Sequence, residues 1–318
     1  MIAPEVAKER TDLFAFAEHN QDNAERTGYS DYSYWKSTIR VFIRNRIALA
    51  ALIVVTVLLV FTFVQPFLPG QRNPNLIHIN PETGRQLRNA PPGSEFILGT
   101  NAIGQDLWAR IWMGTRTSMT IGIVVATIRV VAGILVGAVW GYVRKTDRIM
   151  TEIYNVLANI PTTIVMILFA YILRPSMRTM IIAMTVLGWL PISRFIRNQV
   201  VIIRDREYNL ASRCLGTPTR RIIVRNILPY LVSVIMLQFA LAIPLVIAGE
   251  VFLSYIGLGL PLNIPSLGNL VNEGRQLMMI RSLRHQLIYP SVILSLITIS
   301  FYVMGNAFAD AADPRTHV

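Results

Sequence analysis

The sequence predicts an all-helical membrane protein with six spans, on three observations. Hydrophobic residues make up 53% of the 318 residues and charged ones only 15%. The mean hydropathy of +0.47 is far too apolar for an average soluble domain. Six runs reach the roughly 20 apolar residues that a helix needs to cross the hydrocarbon layer. They lie at about 47–68, 118–142, 149–173, 179–197, 228–256 and 287–310.

Residues 1–46 alternate acids with bases and are expected to form a solvated cytoplasmic tail rather than a signal segment, whose basic n-region is short. Tyr32, Tyr34 and Trp35 precede Lys36, where an interfacial anchor and a plain linker are both open. An even number of spans puts both termini on one side. With that side cytoplasmic, the inside segments carry about 19 of the 30 Lys and Arg and the outside segments about 10, which predicts N-in and C-in. After the first span, 47–68, residues 69–105 form a small extracellular insertion punctuated by Pro69, Pro74, Pro81, Pro91 and Pro92. Residues 106–310 form the core of five spans, with a cytoplasmic loop at 198–227, and 311–318 a cytoplasmic tail. In the outer loop 257–286, Gly257, Gly259, Pro261 and Pro265 break any early helix, and a short one is expected over 272–279.

The single cysteine, Cys214, excludes an intrachain disulfide, and four scattered histidines suggest no metal cluster. The loop 204–229 is basic and amphipathic and reads as two helices at an angle. Tyr208, Ala211 and Leu215 recur on one face; Gly216 suits the left-handed residue that ends a helix. Thr217 is expected to cap the next helix and Pro218 to open it. Ile222, Ile223 and Ile227 face one way and Arg220, Arg221 and Arg225 another. A DNA-reading helix pair has this outline, but a recognition helix pinned between two spans cannot enter a groove about 8.5 Å deep. A docking element and a simple interfacial connector both fit the local sequence.

Several motifs carry a resemblance. Leu210-Ala211-Ser212, Gly216 and Leu228-Pro229 follow the cytoplasmic-loop pattern of the permeases of ATP-binding-cassette importers, with Leu210 in place of the acidic residue and Ser212 in place of an alanine. Leu98-Gly99-Thr100-Asn101, Gly104-Gln105-Asp106, Leu253-Ser254-Tyr255-Ile256-Gly257, Glu273-Gly274-Arg275 and Ala309-Asp310-Ala311-Ala312-Asp313-Pro314-Arg315 resemble the oligopeptide and dipeptide branch, most closely its Gram-positive members. The resemblance implies the type I permease fold, a bacterial plasma-membrane location and import of oligopeptides. It implies that Glu207, Leu210, Ala211, Ser212, Leu215, Gly216 and Thr217, within about 207–218, form a coupling helix docked on an ATPase. The implied partners are a second homologous permease, two ATP-binding-cassette ATPases that hold ATP and Mg, an extracellular peptide-binding lipoprotein and membrane lipids, but no nucleic acid. Nickel chelates are the main alternative cargo. An ion-coupled secondary transporter is the other, with only Glu250 as a candidate coupling carboxylate.

The chain has no Gly-Lys pair and so no phosphate-cradling Gly-x-x-x-x-Gly-Lys-Ser/Thr loop. It is therefore expected to be a transport subunit without an enzymatic site, catalytic residues, metal or cofactor of its own. Ionisable groups inside spans cost about 2.5–3.5 kcal/mol on insertion scales. Arg129 and Glu250 are thus either on the translocation path or permease interface, or a structural Arg–Glu pair. Pro161, Pro191, Pro244 and Pro290 are expected to kink spans.

Overall fold

The computed structural model describes residues 34–312. Tyr32 and the terminal Asp313-Pro314-Arg315 lie outside them, and for Tyr34 and Trp35 only the backbone is described. The helices are α1 (Tyr34–Arg44), α2 (Arg46–Val64), α3 (Leu107–Tyr142), α4 (Arg144–Ala158), α5 (Thr162–Ile172), α6 (Met177–Thr185), α7 (Leu190–Arg204), α8 (Glu207–Cys214), α9 (Thr219–Ile222), α10 (Val232–Tyr255), α11 (Leu267–Gln276) and α12 (His285–Ala311). Among the described residues the only β pairings are isolated bridges in the insertion, such as Ile79 with Gln86.

Among the described residues five segments are long and apolar enough to cross a membrane: Arg46–Phe67, Leu107–Tyr142, Met177–Arg204, Thr219–Tyr255 and Arg281–Ala311. α4 and α5 qualify only as a pair, bent by 69° at the break between them. The expected third span is therefore interrupted, a geometry shared by broken spans and re-entrant loops. Pro161 stands at the N-cap of α5, with no backbone N–H to continue the ladder. Pro191 similarly opens α7 after a turn at 186–189 that interrupts the fourth span. These two prolines start helices, whereas Pro244 and Pro290 lie inside α10 and α12.

α3 is the central element, packing on α7, α10, α11, α2, α6 and α12. It begins at Leu107 instead of near 118 because Asp106 caps it, the carboxylate accepting from the Ala109 N–H at 3.3 Å. At 36 residues it is about 54 Å long, well beyond a hydrocarbon core of about 30 Å. The early start also reflects Arg110, whose guanidinium, only 1% exposed, pairs with Glu273 at 3.0 Å and donates to Gln105. That pair ties the insertion end of α3 to α11, which starts at Leu267, five residues before the expected 272. Ser266 is the reason: its hydroxyl caps the Asn269 N–H at 3.1 Å.

Gly133, Gly137 and Gly141 form a seam at four-residue spacing along α3. A Cβ on Gly137 would stand 2.9 Å from Ile196 Cβ and closer still to the Ser193 carbonyl, and one on Gly141 would stand 2.7 Å from the Arg197 carbonyl. In lipid the drive to associate is close packing, so small residues set how near α3 and α7 approach. Outward residues such as Ile47, Val57, Leu135 and Ile299 are exposed apolar surface of the kind that lipid covers. The predicted solvated tail is corrected from Tyr34 onward: α1 packs on α12, with Thr38 buried and Phe42 6.0 Å from Phe308.

Candidate functional site

At the end of the bundle away from the insertion, the chain leaves α7 and forms α8. Glu207 is the exposed acid in its first turn, where it complements the helix dipole. α8 ends at Gly216, whose φ of +74° is left-handed. The Thr217 N–H bonds the Ser212 carbonyl and the Gly216 N–H that of Arg213, both at 3.0 Å, the two bonds of a Schellman motif. Thr217 does not cap the following helix, contrary to expectation. Pro218 is extended at ψ 143° and occupies the cap position without a side-chain bond, so α9 starts one residue later. Ile222, Ile223 and Ile227 are buried while Arg220, Arg221 and Arg225 are exposed, as their periodicity indicates.

The buried side of α8 is polar. Asn209 is fully buried, donates to the Ile203 carbonyl at 3.0 Å and accepts from Asn226 at 3.1 Å. Asn226 also donates to Ser212 Oγ at 3.3 Å, and that hydroxyl donates to the Tyr208 carbonyl at 2.8 Å. Ser212, the departure from alanine, thus has a local partner. Asn226 lies in a π-helical turn, Ile223–Ile227, of the sort that often re-aims side chains at functional positions. Sequence reading did not single out Asn209 or Asn226. Between the exposed Glu207 and Arg213 the outward side displays apolar groups: Tyr208 and Leu210 are more than 40% exposed and Leu215, just past the helix, is 85% exposed, with Ala211 exposed among them.

Charged braces join α8 to three other helix ends. Arg213 donates to Asp205 Oδ1 at 3.1 Å and lies 5.4 Å over the Tyr142 ring. Asp205 also pairs with Arg144 at the start of α4 and with Arg204, each at 3.2 Å. Arg204 donates to the Gly141 carbonyl at 2.7 Å, and Arg197 grips Asp147 with two bonds of 2.9 and 2.7 Å. Burial acts to raise the Asp205 carboxyl, but bonds from Arg213 and Arg204 and the charges of Arg144 and Arg204 hold it below the usual carboxylate range. A carboxyl depressed on folding stabilises above its unfolded pKa and loses that effect as pH falls through the folded one, so this brace is intact at neutral pH.

Arg129 and Glu250 are separate. Glu250 is fully buried and accepts from the Ser118, Ser254 and Ser266 hydroxyls at 3.0, 3.1 and 2.6 Å and from the Gly268 N–H. It ties α3 and α10 to the first turn of α11. Arg129 instead donates from Nε to the Met184 carbonyl at 2.8 Å, so the Arg–Glu pair does not form.

A family model described as the binding-protein-dependent transport system inner membrane component matches residues 130–318. The chain belongs to this family. A second model, the N-terminal TM domain of oligopeptide transport permease C, matches residues 33–92. The chain is 36% identical to the oligopeptide transport system permease protein AmiD of Streptococcus pneumoniae over 96% of its own length and 97% of that protein's. It is 33% identical to the dipeptide transport system permease protein DppC of Bacillus subtilis, over 95% and 92% of the two chains. The corresponding values for the oligopeptide permease OppC of Bacillus subtilis are 30%, 95% and 97%. The chain is thus a permease, a transport subunit with several apolar helices and a multi-pass protein of the bacterial plasma membrane.

Proposed function

We propose that this permease is one of two homologous pore-forming subunits of an ATP-driven importer of oligopeptides, with both termini and α8 in the cytoplasm. ATP and Mg are held by two separate ATPase subunits, and an extracellular peptide-binding lipoprotein delivers the cargo. The observation that carries this reading is the inverted polarity of α8, buried through Asn209, which Asn226 bonds from the next turn, and exposed through Tyr208, Leu210 and Leu215. A helix that hides amides and displays a leucine at 85% exposure is built to meet a protein surface. The full-length relatives are named as oligopeptide and dipeptide permeases, which supports the cargo class.

In this mechanism ATP binding closes the ATPase pair and displaces α8. Because Arg213, Asp205, Arg144 and Arg204 join α8 to the ends of α3, α4 and α7, these move together, and the bend between α4 and α5 supplies a break at which a span can rearrange. The test is uptake of a labelled oligopeptide by the two permeases, two ATPases and binding protein together in proteoliposomes, challenged with unlabelled peptides and with nickel chelates. Peptides are expected to compete and ATP to be required. Competition by nickel chelates alone, or ATP-independent uptake by the lone chain, would overturn the reading.

A further inference from the structure

Both interrupted spans break at one place. The start of α5, the end of α6, the turn before α7 and the middle of α10 enclose a cavity of about 200 Å³, lined among others by Thr162, Met184, Gly188, Leu245 and Gly249. Non-helical backbone at membrane depth is tolerated where it lines a cavity, and there its polar groups can meet a ligand. Here the cavity also holds a cation, Arg129.

That guanidinium is under-coordinated. Nε and Nη2 both donate to one acceptor, the Met184 carbonyl, and Nη1 has no hydrogen bond among the described residues. A guanidinium carries five N–H donors, and within a span each unpaired one is costly. Among the described residues no acidic side chain lines the cavity, and Glu250, next in the chain to the lining Gly249, is engaged by serines. Space for the group is specific: a Cβ on Gly188 would collide with Arg129 Nε. α5 starts here without a side-chain cap, adding the partial positive charge of a helix N-terminus to the same cavity. Two adjacent guanidinium N–H groups match a carboxylate far better than a single carbonyl.

We propose that the Arg129 cavity receives the C-terminal carboxylate of the translocated peptide, which displaces the Met184 carbonyl from the guanidinium. This rests on the peptide-importer reading and gives it a polarity: each free peptide has one such carboxylate, whatever its side chains. Arg129 is then a binding residue of the path, and the break at Gly188 is the hinge that lets Met184 withdraw.

The experiment is ATP-driven uptake, by the complete complex in proteoliposomes, of one tripeptide as free acid and as C-terminal amide, through wild type, Arg129→Gln and Arg129→Lys. The binding protein is the same throughout, so a change in the acid-to-amide ratio reports the permease. Wild type is expected to favour the acid. Arg129→Gln is expected to lower acid uptake about tenfold or more while amide uptake changes little, the size of a lost charge-assisted contact. Arg129→Lys, which keeps the charge without the fork, should retain part of the preference. An unchanged ratio in Arg129→Gln, equal loss of both peptides, or an Arg129→Lys variant indifferent to the carboxylate overturns the assignment. Failure of wild type to import either peptide overturns the importer reading and this assignment with it.

Discussion

Gly216→Val is expected to abolish peptide uptake while leaving the chain in the membrane at its normal level. Gly216 sits at φ +74° with nothing near the position a Cβ would take, so the obstacle is conformational and not steric crowding by neighbours. An L-residue in this region costs about 1–2 kcal/mol, and a β-branched one is worse placed still. The chain can relieve that only by abandoning the left-handed turn, which removes the two bonds that close α8 and frees Leu215 from its position. Gly216→Asn should retain most uptake, because asparagine tolerates the left-handed region. The check is uptake by the complex alongside quantitation of the chain in membranes; valine transporting like glycine would show that the turn does not matter for coupling.

Gly137→Leu is expected to prevent accumulation of folded chain. The Gly137 Cα faces the Ser193 backbone and Ile196 so closely that α3 and α7 must part to admit any side chain. Overpacking a tight core typically costs about 1–3 kcal/mol, and here the displaced partner is backbone, which cannot swing aside. Separation of α3 from α7 also pulls Gly141 from Arg204 and breaks the brace to α8. Gly93→Ala is the matched control, with no atom within 4 Å of the new Cβ. Measured by detergent-solubilised yield and thermal stability, Gly137→Leu should be lost and Gly93→Ala unchanged; a stable Gly137→Leu chain would refute the seam.

Apolar run length located the spans to within a few residues at most ends, because the bilayer demands length. It failed at the start of α3, where Arg110 and Arg116 interrupt the apolar run but Arg110 is neutralised by Glu273, 163 residues away. The breaks before α5 and α7 were foreshadowed by Pro161 and Pro191, yet hydropathy is blind to angle, so a 69° bend reads as one continuous span. In the loop, glycine and proline made the turn legible, and the periodicity of Tyr208, Ala211 and Leu215 correctly grouped one face. What anchors the other face was not legible. Asn209 and Asn226 meet across the turn through amides that have no periodic signature, and the cap moved from Thr217 to Pro218 through a single ψ angle. An Arg129–Glu250 pair, one of the two alternatives that charge alone leaves open, does not form, because three serines and a backbone N–H take the carboxylate and a carbonyl at a helix end takes the guanidinium.

Docking of a separate ATPase on α8 has a native probe. Cys214 is the only cysteine in the chain and is exposed on α8, two residues before Gly216. Maleimide labelling of Cys214, read by mass spectrometry of this chain, should be blocked in the intact complex and restored when the ATPase subunits are stripped from inside-out vesicles. Equal labelling in both would contradict docking at α8.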